Sequence, residues 1–266
     1  MGEQERMRVA VYSRYLQEDQ GSLVVMGDFT EVLAGKAAYD ARYGIAPIAG
    51  EAMAALTRLM TGAALAAVSL AERESWGWTM TASGVSHGLF CGVEPEGMIC
   101  GAVREAPSER SIVYLQRKKA DGPLVESRFE PVKGEPVASV QRYFLKVEQI
   151  ETRIALDGLV GVLLQSLPGG ALGPCAEMTD SELVTEMRAR RDAEKMKHLD
   201  DVAIFYECRC DETVIQKMIE GMPESSRAAL WGEEKSLHIA CPRCGREFTI
   251  SCKEIAFSET SGSNVR

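Results

Sequence analysis

The chain has 266 residues, 45% of them hydrophobic and 26% charged, the proportions of a globular protein with one large domain or a core and an appendage. Thirty-nine acidic residues against 30 basic ones give a formal charge of −9, which argues against nucleic acid as the main partner, because phosphate binding needs a concentrated basic surface. The opening MGEQERMRVAVYSR lacks an apolar signal-peptide core, and the most apolar run, LMTGAALAAVSLA at 59–71, is shorter than the ~20 residues a bilayer crossing needs, so a cytosolic chain without membrane contact is expected.

In chain order, SLVVM at 22–26 reads as a strand and 48–72 as a long buried helix beginning just after Pro47. Short β-rich segments follow at 78–82, 88–92, 97–103, 111–116 and 124–129, separated by Gly, Pro and charged turns, and they predict an antiparallel meander. Pro136 stands where a first helical residue belongs, and Val137, Val140, Tyr143, Phe144 and Val147 follow at three- and four-residue steps, an amphipathic face. Asp157-Gly158 between two apolar runs signals a hairpin, and LPGG at 167–170 closes the region. Strands and helices come in blocks, so the fold class is α+β, with a core domain of antiparallel strands and helices over 1–178.

From 179 the composition changes. Thr179 and Glu182 have capping-box spacing, and 11 of the 22 residues from Thr179 to Asp200 are charged. A helix running to about His198 is expected, with a thin apolar stripe of Leu183, Val184, Met187, Met196 and Leu199 that, with a later helix at 214–222, is a candidate client-binding surface. Residues 179–203 thus read as a marginally stable charged linker, and a solvated connector is the plainer reading of the same composition.

Residues 204–256 form a compact unit ahead of a flexible tail at 257–266. Cys208 and Cys210, on an extended segment, precede a short helix opened by Asp211 and Glu212, and SLHIACPRCGREFTI reads as strand, Cys-x-x-Cys knuckle and strand, with Gly245 supplying the turn. Cys208, Cys210, Cys241 and Cys244 can close a tetrahedral all-thiolate site for one zinc ion. A unit of about 50 residues buries too little apolar surface to fold unaided, so it needs such a staple. A dithiol oxidoreductase using Cys241 and Cys244 would want a helix N-terminus and a βαβ scaffold, and both flanks of the knuckle read as strand. A nucleic-acid zinc ribbon would want surplus basic residues, yet 208–252 holds seven acidic and six basic. His238 is expected to face solvent, Cys91, Cys100 and Cys252 to be inert core thiols, and Cys175 to be the cysteine most open to exposure.

Such a site is vulnerable to oxidant, because a disulfide cannot serve as a thiolate donor. Structural zinc contributes on the order of 10–16 kcal/mol to folding, so oxidation removes what holds the unit together. Cys241–Cys244 is expected to close first, because residues two apart on an extended chain strain the Cα spacing that a disulfide tolerates. At this point the sequence resembles the bacterial redox-regulated holdase family of thirty-three-kilodalton heat-shock proteins. The cysteine motif carries the likeness, together with RYFLKVEQ at 142–149 and LLQSLPGG at 163–170. Val147 and the stretch 84–103 depart from the family pattern. The resemblance implies a chaperone that needs no ATP and is not an enzyme, inactive while reduced and zinc-bound. Oxidation would then pair Cys208, Cys210, Cys241 and Cys244 in two disulfides, release zinc, unfold the linker and let homodimers bind unfolding client proteins. No catalytic constellation stands beside it. The alternatives are a constitutive interaction protein with a permanent zinc module, or the oxidoreductase.

Overall fold

A computed structural model describes residues 8–251 apart from 49, 71 and 233, so the expectations for Cys252 and for the tail at 257–266 lie outside the described residues. The chain opens with β1 (Val9–Gln17) and β2 (Ser22–Asp28), then α1 (Thr30–Tyr43) and α2 (Gly50–Val68). The meander is β3 (Ser75–Thr81), β4 (His87–Val93), β5 (Met98–Glu105), β6 (Ile112–Lys118) and β7 (Leu124–Phe129). After α3 (Pro136–Tyr143) come the hairpin strands β8 (Thr152–Asp157) and β9 (Val160–Ser166), α4 (Asp180–Asp192) and β10 (Lys197–Tyr206). The last part holds α5 (Glu212–Glu220), α6 (Glu224–Trp231), β11 (Ser236–Ala240) and β12 (Glu247–Ser251). The fold is α+β, as the blocks of strands and helices predict.

Ten strands make one sheet in the order β7-β6-β3-β4-β5-β10-β1-β2-β9-β8, and β11 and β12 pair separately. All pairs are antiparallel except β5 with β10, where Phe205 faces Met98 and Tyr206 faces Ile99. α2 lies under the sheet with Leu56, Leu59, Met60 and Leu65 fully or almost fully buried, and it packs on α3, β4 and β5. It is long and apolar enough to cross a membrane by length and composition, and its apolar side is spent on this core instead.

The amphipathic face after Pro136 buries Val137, Val140, Tyr143 and Phe144 but not Val147, which is 39% exposed. The cause is a widening of the helix into a π turn over Phe144–Glu148, ended by Gln149 at φ 58°, which rotates the later positions off the helical repeat.

The expectation of a helix running to about His198 is corrected. α4 does begin with the Thr179–Glu182 capping box, but it stops at Asp192, Glu194 takes a left-handed φ of 54°, and Lys197–Tyr206 is strand. β10 lies between β1 and β5, with Val9 opposite Phe205 and Leu16 opposite Lys197. Val202, Ile204 and Tyr206 alternate into the core, and Asp200 is neutralised by the Arg14 guanidinium at 2.8 Å. Alternation and a charge partner supplied by β1 outweigh the helical propensity of the charged sequence. Gly97, at φ 89°, lets the β4–β5 turn run against β10, since a Cβ there would sit 1.9 Å from the Ala203 carbonyl oxygen. The apolar stripe is also not free. Leu183, Val184 and Met187 are fully buried and Met196 nearly so, in a second cluster with Val24, Met26, Val162 and Leu164, while Leu199 is 43% exposed.

Candidate metal centre

The four sulfurs of Cys208, Cys210, Cys241 and Cys244 all lie within 4.8 Å of one another. Two segments carry them. β10 ends at Tyr206, whose hydroxyl donates to the Gly101 carbonyl at 3.1 Å, and Glu207 N–H donates to the Ile99 carbonyl at 3.0 Å. This ties the chain to β5 immediately before Cys208. After Cys210, the Asp211 carboxylate accepts from Val214 N–H at 2.8 Å and starts α5. The other pair sits on the turn between β11 and β12. Cys241 N–H donates to the Arg246 carbonyl at 2.7 Å, Gly245 N–H to the Cys241 carbonyl at 2.9 Å, and Arg243 N–H to the Cys241 sulfur at 3.4 Å. Gly245 has the positive φ, 85°, that its place in the turn predicts.

The donor set fits zinc. Four thiolates at a Zn–S length of ~2.3 Å stand about 3.8 Å apart in a tetrahedron. Here the Cys208 and Cys241 sulfurs are 4.0 Å apart and those of Cys210 and Cys244 are 3.5 Å apart. Cys208, Cys241 and Cys244 are buried and Cys210 is partly so, which closes the site to substrate. The thiols also share protons unequally. Hydrogen bonds from Cys208 and then Cys210 hold Cys241 well below the usual thiol range and bring Cys244 down to about 7. Cys208 is pushed up, first by its contact with Cys100 and then by its three partners in the cluster. A soft divalent cation would replace the protons that these thiols share.

The core contributes groups that sequence spacing did not reveal. Tyr39, buried on α1, puts its hydroxyl 3.5 Å from the Cys244 sulfur and 3.7 Å from that of Cys210. Its ring packs edge-on against Tyr206 with centroids 5.3 Å apart. Glu94, just after β4, takes the Arg243 guanidinium from the knuckle and accepts from Ser75 Oγ at 2.8 Å, while Arg209 pairs with Glu96. Arg246 stacks over Tyr43 of α1 at 3.9 Å and over Phe248 at 4.6 Å. The cluster therefore docks on α1 and the β4–β5 turn. These partners join only through the fold. Of the docking groups, Arg209 and Arg243 lie inside the two cysteine motifs and Arg246 two residues beyond, whereas Tyr39, Glu94 and Glu96 are distant in sequence.

The other expected residues are placed plainly. His238 is exposed, with Nδ1 3.2 Å from Thr249 Oγ1, and it takes no part in the sulfur cluster. Cys91 and Cys100 are buried. Cys175 is 1% exposed, against the expectation of exposure, because the short 3-10 turn Gly173–Ala176 turns it into the cluster with Leu172 and Met187.

The family model described as Hsp33 protein matches residues 44–251. No curated protein matches the chain. Among solved structures, the 33 kDa chaperonin (heat shock protein 33 homolog) of Thermotoga maritima is similar with a TM-score of 0.69 and 17% identity, covering 94% of this chain and 97% of that one. At that identity the likeness shows the fold.

Proposed function

The chain belongs to the Hsp33 family of chaperones, and on that premise we propose that it is a holdase, independent of ATP, that oxidation of its cysteine cluster switches on. One observation carries the reading. The cluster is at once the centre of the small C-terminal unit and the point where that unit docks on the core, through Tyr39, Glu94 and Arg246. Chemistry at the sulfurs therefore acts on the interface.

Cys208, Cys210, Cys241 and Cys244 would hold zinc, which when bound supplies folding free energy to a unit too small to fold alone. Peroxide acts on the thiols. Two thiol groups and one hydrogen peroxide give a disulfide and two waters, with the sulfurs oxidised and the O–O bond reduced. Closure of Cys241–Cys244 comes first, because the knuckle already brings its two cysteines back on one turn. It removes two of the four donors, and the docking contacts of Arg243 and Arg246 loosen with the turn that carries them. The surface that α5 buries against β12 is then open to apolar segments of unfolding proteins, and a second copy of the chain can join in a dimer. α4 and β10 belong to the core in this state, so the expectation of a metastable 179–203 linker narrows to the stretch after Tyr206. We place the protein in the cytosol, where thiols are kept reduced, and assign it neither nucleic acid nor membrane as partner.

The test pairs zinc release under peroxide or hypochlorite, read with a chromophoric chelator, with light scattering of a heat-denatured client. The switch requires zinc loss and suppressed aggregation to rise together. Zinc retained under oxidant points to a permanent module, and insulin-disulfide turnover without suppression points to a dithiol oxidoreductase.

A further inference from the structure

The small C-terminal unit meets the core through arginines. Of the six basic residues in 208–252, Arg209, Arg243 and Arg246 face the core. Arg243 pairs with the buried Glu94 carboxylate, and Arg209 pairs with Glu96 and reaches Glu94 at 3.9 Å. The Arg246 guanidinium lies over the Tyr43 ring at 3.9 Å. Beside these charges the contact is apolar and close, since a Cβ built on Gly245 would lie 3.6 Å from Ile45 Cγ2. The core holds its half of this contact by bonds of its own. Tyr43 rests on Tyr39 with ring centroids 4.6 Å apart, and Ile45 N–H donates to the Asp40 carbonyl at 2.9 Å. In the β4–β5 turn Glu94 N–H donates to the Met98 carbonyl at 2.8 Å, and Ser75 Oγ donates to the Glu94 carboxylate at 2.8 Å. Arg73, a core cation at the same turn, donates to the Pro95 carbonyl at 3.3 Å. With the knuckle gone, the core therefore presents two carboxylates, two aromatic rings and an isoleucine that guanidinium groups and a glycine turn had covered.

We propose that this face of the core, made by Tyr39, Tyr43, Ile45, Glu94 and Glu96, is a client site selective for apolar segments that carry arginine. In the reduced chain the knuckle occupies it in the place of a client. The proposal rests on the redox switch above and names the chemistry that the core half of the opened interface selects. Charge decides the occupant. Glu94 and Glu96 favour a cationic segment and repel an acidic one, and a second copy of the chain brings a formal charge of −9 of its own. Arginine suits the face better than lysine, because a planar guanidinium both stacks on an aromatic ring and pairs in two places with a carboxylate, as Arg246 and Arg243 divide between them here. Ile45 and the tyrosine rings supply the apolar area that a charged segment alone would not use.

Short fluorescent peptides with the same leucine and serine positions, and arginine, lysine or glutamate at the rest, test this by anisotropy on the full chain after peroxide has released zinc. The arginine peptide is expected to bind roughly tenfold or more tighter than the glutamate peptide, with lysine between them. The reduced, zinc-loaded chain should bind the arginine peptide about tenfold more weakly than the oxidised chain, because the knuckle still fills the site. Glu94→Gln with Glu96→Gln should lower the arginine preference to about twofold. Glu109→Gln with Glu177→Gln takes the same charge from exposed loops elsewhere and should leave the preference in place. An equal loss in the two double variants assigns the preference to overall charge and overturns the site. A photoreactive arginine peptide gives a readout that needs no variant. In the oxidised chain it should label tryptic fragments within 37–58 and 74–104, and labelling confined to other fragments overturns the inference. An oxidised chain that releases zinc and suppresses client aggregation, yet binds the arginine and glutamate peptides alike or binds neither, overturns the inference and leaves the switch standing. Zinc retained under oxidant with no peptide bound overturns both.

Discussion

Tyr39→Phe isolates the contact between the core and the sulfur cluster. The substitution removes one hydroxyl and nothing else, because the ring still packs on Tyr43 and Tyr206 with centroids 4.6 and 5.3 Å away. The hydroxyl is 3.5 Å from the Cys244 sulfur and 3.7 Å from that of Cys210, and its own pKa is raised, first by burial and then by Cys244, so it remains a proton donor. Hydrogen bonds to charged acceptors are worth ~1.5–3 kcal/mol net, and these long sulfur contacts belong at the low end. A loss of about 1.5 kcal/mol corresponds to roughly tenfold weaker zinc binding. Competition against a chromophoric chelator measures it on reduced protein, with thermal unfolding of the core as the control. The variant is expected to release zinc at about a tenth of the chelator activity needed for the wild type, while the core transition stays in place. Affinity unchanged within about twofold would show that Tyr39 only fills space, and a collapse of the core transition would show that the effect is packing and not hydrogen bonding.

Glu94→Ala leaves the Arg243 guanidinium without its carboxylate. Breaking a fully buried pair costs ~3–5 kcal/mol, and since Arg243 is a third exposed a cost of about 2 kcal/mol is expected. Proteolysis within 236–251 of the reduced, zinc-loaded variant should accelerate roughly 30-fold, and unchanged cleavage would remove this ion pair from the docking account. Zinc removal by a chelator under reducing conditions should abolish amide protection in β11 and β12 while leaving α2 and β3 protected. Protection retained in β11 and β12 without metal would contradict the staple. Gly97→Ala meets the Ala203 carbonyl and carries a positive φ, so the core is expected to lose on the order of 2 kcal/mol or more in chemical denaturation. Thr179→Ala removes the hydroxyl that caps α4 and should cost about 1 kcal/mol in the same assay.

What the sequence made legible was whatever is set locally. The knuckle, the Asp157-Gly158 hairpin and the capping box are written in neighbouring residues and stand where the spacing puts them, as does the helix after Pro136 as far as Tyr143. β10 was hidden because its two halves pull apart. Lys197, His198, Asp200 and Asp201 read as solvated helix, and only Arg14, 186 residues earlier, makes Asp200 acceptable in a sheet. α1 escaped for a related reason. Its inward face includes Lys36, buried and paired with Asp40 at 2.6 Å, where an apolar residue would have completed the period. In the site, four sulfurs were found by spacing alone, whereas Tyr39 and Glu94 belong to it only because α1 and the β4–β5 turn are folded against the knuckle.

β10 is the last strand of the large sheet to be synthesised, and it is the strand that joins β5 to β1. Until residue 206 has been made, a newborn chain holds two half-finished sheets, each with a bare rim of unpaired amides and carbonyls. Long-range pairing of this kind is slow to form. A chaperone therefore passes, during its own birth, through a stage as prone to edge-to-edge sticking as the proteins it serves, and a chain cut short before residue 197 would never leave it.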